Sequence, residues 1–298
     1  MLTRLQSLFA IHLVAILFGA TGIFGAIIRA DALIITWGRA LFAVLSLWIL
    51  SRSLALIAPT QQVKAGSSWH QHLGAFVMSG AMLTLHWVTF FHSVKIGGVA
   101  VATLGFASFP AFITLIEALV LREKVGRAEW LRLFLVSFGL VLITPSFDWA
   151  NQGTEGLVWG VISGAAFGVL AVLNRRQLSQ VNAFKVAGFQ NALVFLFLLP
   201  WVMPSLNEVT LSDWLLIASL GVVCTGLAHL LFVLSLRQLP ARTAGLVVAS
   251  EPLYAIFFAW VLFQEVPSAR MLLGAAVMMT AIFSASMAVR QKNTESTS

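Results

Sequence analysis

Ala249-Ser250-Glu251-Pro252 lies well inside an apolar run that extends from about residue 241 to 263. Proline there removes a backbone hydrogen bond and crowds the preceding turn. Glu251 adds a carboxylate in a stretch with no obvious access to water. A second copy stands 142 residues earlier as Ala107-Ser108-Phe109-Pro110, again in mid-run. At the same offset Leu104 aligns with Leu246 and Glu123 with Glu265. Alanine and leucine coincide often among apolar helices, so the proline and glutamate matches carry the repeat. Paired broken helices in the two halves of a membrane chain point to the binding site of a secondary transporter.

Composition sets the wider frame. The chain has 298 residues, 59% hydrophobic and 10% charged, against about 25% charged in soluble domains. The class is therefore all-α integral membrane. Ten apolar runs are long enough to cross a hydrocarbon core of about 30 Å at about 1.5 Å per residue. They cover about 8–28, 33–50, 72–94, 98–121, 128–145, 156–174, 183–203, 213–236, 241–263 and 268–289. The first follows Arg4 and so resembles a signal peptide, but nine comparable runs succeed it, and it is read as a retained helix. The longest connection, 51–71, contains Pro59 and Gly66, and a polar tail at 291–298 is expected to be disordered. With one cysteine, Cys224, no internal disulfide can form.

The net charge of +7 would suggest nucleic acid in a soluble protein. Here it follows loop placement, and no nucleic-acid partner is expected. With the N-terminus in the cytoplasm, fourteen of the eighteen Lys and Arg residues fall on the cytoplasmic side. Arg29, Lys95 and Arg270 fall outside, and Arg39 lies within a span. That bias places both termini inside. The spans divide five and five near Asn151-Gln152-Gly153, as 1–150 and 151–290, with the tail 291–298 cytoplasmic. Because five is odd, the second half enters with the opposite orientation, and the reading is two inverted five-helix repeats.

Small residues mark close packing. Gly156, Gly160, Gly164 and Gly168 recur every fourth residue in the sixth span, and the first span has the looser set Ala15, Gly19, Gly22 and Ala26. Such grooves admit a neighbouring helix. Internal packing is the favoured use, with a homodimer as the alternative partner.

Ionisable side chains within spans are costly and usually face the protein interior or a water-filled cavity. Glu251 is the sharpest candidate for substrate binding or proton coupling, against the bland alternative of a hydrogen bond to a backbone amide. Glu117, seven residues beyond Pro110, falls on roughly the same helical face. Arg39 lies about two turns into the second span, placed either to snorkel outward or to pair across a cavity. His86 and His229 stand 24 and 23 residues before the two prolines, as repeat equivalents with one residue of slippage. Trp87 and Tyr254 offer aromatic lining for a pocket, and Ser108 and Ser250 flank the breaks. Trp69, Trp149, Trp201 and Trp214 lie near helix ends, where an interfacial belt accounts for them. Pro110 and Pro252 are the expected hinges, with freed carbonyls at Phe106 and Val248.

Several chemistries lack their motifs. None of the five lysines follows a glycine, which excludes a phosphate-binding loop of the common type. No HExxH or GxSxG occurs. No metal, cofactor or enzymatic activity is expected.

These features resemble the drug/metabolite transporter superfamily, and within it the EamA-type permeases. The carriers are Ser108-Phe109-Pro110 followed by Leu121-Arg122-Glu123-Lys124, and Ser250-Glu251-Pro252 followed by Phe263-Gln264-Glu265-Val266. The family places a small-x-proline in its fourth and ninth helices and a glutamate about a turn beyond each helix end, often as Leu-Gly-Glu. Arg122 and Gln264 replace that glycine here, so a different turn is expected. Arg39, in Trp37-Gly38-Arg39-Ala40-Leu41-Phe42, matches a second-helix arginine common in the family. The resemblance covers nearly the whole chain. It implies ten helices around a central cavity, alternating access and, usually, export of small metabolites. The expectation is an inner-membrane exporter of amino acids or related amphipathic compounds, with membrane lipid around it and a proton gradient as the candidate driving force. A lipid-precursor flippase of the same fold is the alternative, ahead of a membrane enzyme.

Overall fold

The computed structural model describes residues 3–57, 73–144, 148, 150–176, 183–235, 239, 247–248 and 250–295. Ala249, Leu246, Trp69, Trp149 and the connection from residue 58 onward lie outside the described residues. Among the described residues the regular structure is helical, with no strand. Among the described residues five helices are long and apolar enough to cross a membrane: Leu5–Ile27, Ala32–Leu50, Leu73–Phe106, Gln152–Asn174 and Lys185–Glu208. Shorter apolar helices cover Phe109–Val120, Leu211–Leu227, Glu251–Phe263 and Ala269–Ser284.

In chain order, α1 (Arg4–Ile27) opens on a capping box. The Thr3 hydroxyl accepts the Gln6 amide and the Gln6 side chain accepts the Thr3 amide, which satisfies two of the amides that a helix start leaves over. Asp31 plays the same part for α2 (Ala32–Ile57), accepting the Ile34 amide at 2.8 Å. Then follow α3 (Leu73–Phe106), α4 (Phe109–Leu115) with a π turn over Ile116–Val120, α5 (Arg127–Ile143) and α6 (Gln152–Arg176). Helix α7 (Ala183–Val202) ends in a 3₁₀ turn, Met203–Glu208. Helix α8 (Leu211–Gly221) passes through a π turn, Val222–Leu227, into α9 (Ala228–Ser235). The last two are α10 (Glu251–Phe263) and α11 (Ala269–Glu295).

Three boundaries differ from the sequence reading. The third and fourth spans join in α3, whose 34 residues run about 51 Å, with a kink in place of the expected loop. Gly98 makes the kink with φ 83° and ψ 170°, a backbone conformation that L side chains resist. Lys95, expected in an outer loop, is therefore helical, and its ammonium donates to the Ile28 carbonyl at the end of α1. Helix α2 continues to Ile57. Helix α11 continues to Glu295, through the first residues of the expected disordered tail. Apolarity marks where a chain suits lipid, not where its helix must stop, and Arg290, Gln291 and Lys292 are good helix formers.

Glycines decide the closest contacts. The ladder of α6 lies along the broken helix formed by the end of α3 and α4. A Cβ on Gly156 would stand 2.6 Å from Gly97 Cα, and one on Gly160 3.0 Å from the Ala102 carbonyl oxygen. The ladder is thus spent on internal packing. Gly168 faces α4 as Gly19 of α1 faces α10. A Cβ on Gly168 would meet Phe112 Cβ, the Ile113 amide and the Phe109 carbonyl, and one on Gly19 would meet Tyr254 Cβ, the Ala255 amide and the Glu251 carbonyl. Each pair of targets is offset by 142 residues. Helix α2 packs on α7 and α8, and α3 on α7. Helices α5 and α11 pair through Gly139 and Gly274. Near their ends Arg132 donates to the Ser284 hydroxyl and carbonyl, and Arg270 donates to the Val141 carbonyl. The largest core cluster draws on α1, α2, α3, α7 and α8, with Trp37, Trp87, Phe91 and Ile217 among its buried members.

Candidate functional site

The two breaks have the same construction. Ser108 has φ −72° and ψ −11°, and Ser250 has φ −83° and ψ −1°. The Ser108 amide and hydroxyl both donate to the Gly105 carbonyl, at 3.2 and 2.6 Å. The Ser250 amide and hydroxyl donate to the Val247 carbonyl, at 3.1 and 2.5 Å. Each serine carbonyl then accepts the amide three residues on, from Ala111 and Leu253. The serines close the turns, and their hydroxyl protons are committed to the backbone. Pro110 and Pro252 sit in the first turn of α4 and α10, where a missing N–H costs nothing. The interruption thus falls at the serine turn, ahead of each proline. The Phe106 carbonyl, expected to face a cavity, lies against α6 at Gly164.

The far ends of the two half-helices match as well. Arg122 and Gln264 take φ 53° and 58°, the left-handed conformation that the family's glycine would supply. Both side chains therefore stand in a conformation that glycine adopts without strain. Six-residue hydrogen bonds close each turn, from the Glu123 amide to the Glu117 carbonyl and from the Glu265 amide to the Ala259 carbonyl. Gln264→Gly relieves about 1–2 kcal/mol of left-handed strain and gives back about 0.5–1 kcal/mol in chain entropy. The variant is expected to unfold at a slightly higher temperature than the parent in detergent, whereas Gln264→Val unfolds at a lower one.

Glu265 has a use that its sequence position did not disclose. Its carboxylate reaches the start of the helix beyond the Gly98 kink, accepting the Val99 and Ala100 amides at 3.4 and 3.3 Å. A Cβ on Gly98 would come within 3.0 Å of that carboxylate. The turn after α10 therefore holds the first half of the other broken helix, through charge on a helix N-terminus.

Between these elements lies a buried polar group. Arg39 of α2 is 6% exposed. Its Nε donates to Thr225 Oγ1 at 2.8 Å, and its guanidinium carbon lies 4.0 Å from the centroid of the Trp87 ring, a desolvated cation–π contact of about 2 kcal/mol. Glu251, Cys224 and His86 are within its electrostatic reach. Glu251 opens α10, half-buried, with its carboxylate at the positive end of that helix. His86 is fixed between α3 and α6: Nδ1 lies 2.7 Å from Ser163 Oγ, which also donates to the His86 carbonyl. Phe106 and Phe167 flank the imidazole at 4.9 and 5.1 Å. Phe109, the repeat counterpart of Glu251, stacks on Phe106 and meets Phe167 edge-on.

The structure thus brings Arg39, Trp87, His86 and Glu251 into one region. Tyr254 turns to α1, with its hydroxyl 3.5 Å from His12 Nδ1. His229 lies in α9 just past the π turn. Glu117 belongs to the π turn that ends α4. Thr225 and Ser163 had no sequence signal, since a lone hydroxyl residue in an apolar run is common. Among the described residues no group of His, Cys, Asp and Glu suits a metal ion.

The profile of the EamA-like transporter family matches residues 5–144 and again 154–287. The chain belongs to that family. Curated relatives carry transporter names. An uncharacterized transporter of Archaeoglobus fulgidus is 24% identical over 92% of this chain and 93% of its own length. The pseudopaline exporter CntI of Pseudomonas aeruginosa is 26% identical over 71% of this chain and 74% of its own length. The uncharacterized transporter YxxF of Bacillus subtilis is 24% identical over 59% of this chain, a match that spans 58% of that relative. A crystal structure at 18% identity superposes with a TM-score of 0.62 over 97% of this chain and 99% of the other, and so shares the fold. This EamA-like protein is accordingly a multi-pass membrane protein, and the family and relatives indicate a transporter rather than an enzyme.

Proposed function

We propose that this EamA-like transporter exports small amphipathic metabolites, amino acids or related compounds, across the inner membrane by alternating access. In this reading ten spans form two inverted five-helix repeats with both termini in the cytoplasm. The substrate binds between the repeats, near Glu251 and Arg39. Glu251 takes either the substrate's amine or a coupling proton.

One observation carries the reading. The same serine turn opens a half-helix in each half, at Ser108 and at Ser250, yet one copy presents Glu251 where the other presents Phe109. A symmetric hinge with charge on one side suits a carrier that rocks about a fixed, polarised site. The two separate matches to the family profile support the repeat. So does the agreement of the α1–α10 contact with the α6–α4 contact. The name of one relative as an exporter supports the direction.

The test is counterflow in proteoliposomes that hold the full chain, against a panel of amino acids and related metabolites, with and without a pH gradient. Saturable exchange of one panel compound is the expected result. Exchange of none, with translocation of a labelled lipid instead, would replace the metabolite reading by the flippase.

A further inference from the structure

Two sides of the Arg39 guanidinium are already held. Nε–H donates to Thr225, and the flat face lies over Trp87, with Phe91 further off at 5.8 Å. Thr225 is itself oriented: its hydroxyl proton goes to the Leu220 carbonyl, five residues back, at 3.3 Å. An oxygen lone pair is therefore what the arginine meets. The π turn Val222–Leu227 puts that hydroxyl in place, and such turns recur at functional sites. Gly221 permits the approach, since a Cβ there would stand 2.7 Å from the Arg39 carbonyl oxygen.

Charge balance is incomplete. Among the described residues no carboxylate forms an ion pair with Arg39, and Glu251 acts on it only through space. The terminal nitrogens of a guanidinium carry four N–H donors in a plane, an edge that fits two oxygens of one anion. Arg39 is the only Lys or Arg that lies more than five residues in from either end of a span read from the sequence.

We propose that Arg39, fixed by Thr225 and Trp87, is the subsite for a carboxylate on the transported molecule, and that Thr225 is its positioning residue. The subsite rests on the transporter reading above. One guanidinium balances one negative charge. A phosphate dianion would leave surplus charge in the field of Glu251, so a carboxylate fits the site better.

The test compares phenylalanine and leucine with their carboxamides in counterflow, using the full chain in proteoliposomes. The acids are expected to exchange at least about tenfold faster than the amides, the span of one charge-assisted hydrogen bond. Thr225→Val should remove most of that preference, Thr225→Ser should keep it, and Arg39→Lys should lose it, because an ammonium has no planar fork. Equal exchange of acids and amides, or an undiminished preference in Thr225→Val, overturns the subsite while the transporter reading stands. If none of these compounds exchanges, thermal unfolding of the solubilised protein with the same acids and amides decides. A shift by the acids alone that Thr225→Val abolishes upholds the subsite. Equal shifts, or none, overturn it.

Discussion

Glu251→Gln is expected to abolish transport, or to leave it indifferent to a pH gradient, while the protein remains folded in the membrane. Glutamine has the same size and backbone preferences, so the packing of α10 on α1 at Gly19 stays as it is. What disappears is the negative charge at the start of α10 and its field on Arg39. A charge-assisted contact contributes about 1.5–3 kcal/mol, so a substrate amine bound there would lose roughly 10- to 150-fold in affinity. If Glu251 carries a coupling proton, counterflow survives in the variant, but a pH gradient no longer drives net movement. Parental rates at every pH, with parental response to the gradient, would remove Glu251 from the mechanism. Phe109 offers the internal control. It occupies the equivalent place in the first half without a charge, so Phe109→Leu should change rates without changing pH dependence.

Gly156→Val is expected to have the largest effect on folding. A Cβ there would stand 2.6 Å from Gly97 Cα and 2.8 Å from the Gly97 amide nitrogen. Both are backbone atoms, in a segment held one residue later by the Gly98 kink and the Glu265 carboxylate. Neither helix can yield locally, so α6 must separate from α3. Overpacking of this kind costs about 3 kcal/mol or more, which for a chain of this size lowers the unfolding temperature by roughly 6–12 °C. The contact also takes in Ser93, whose hydroxyl donates to the Gly156 carbonyl at 2.6 Å. Ser93→Ala should therefore give a smaller loss in the same direction. Gly188, whose Cβ would meet nothing within 4 Å, should accept alanine without loss. A Gly156→Val protein as stable as the parent in detergent would contradict the packing described.

The helical, apolar character of the chain and its family were legible in the residues. Apolar runs located the helices because the cost of burying a polar backbone in lipid forces long segments into helix. The proline and glutamate echo located the two serine turns and the half-helices they open, because a proline cannot sit in a helix interior without consequence. The contacts those residues make were less legible. Arg122 and Gln264 lack the glycine that marks a left-handed turn, yet the tertiary fold imposes that turn on both. Lys95 and Gly97 read as loop, since polarity and paired glycines usually end a helix. They stay helical because α6 covers Gly97 and the end of α1 takes the lysine.

Glu251 and Arg39 show where the division falls. From the residues alone, both are costly in lipid and so expected to turn away from it, since a charge in an apolar run is unfavourable whatever surrounds it. The residues also set the apolar character of the chain, the repeat offset and the class of protein. Helix packing is what brings a threonine from a π turn 186 residues away to the arginine, lays Trp87 beneath it, and lets Glu251 act on it without pairing. The physical reason is range. Transfer free energies belong to each residue and its neighbours along the chain, whereas hydrogen bonds and ring stacking depend on distances of a few ångströms that only the packed helices set.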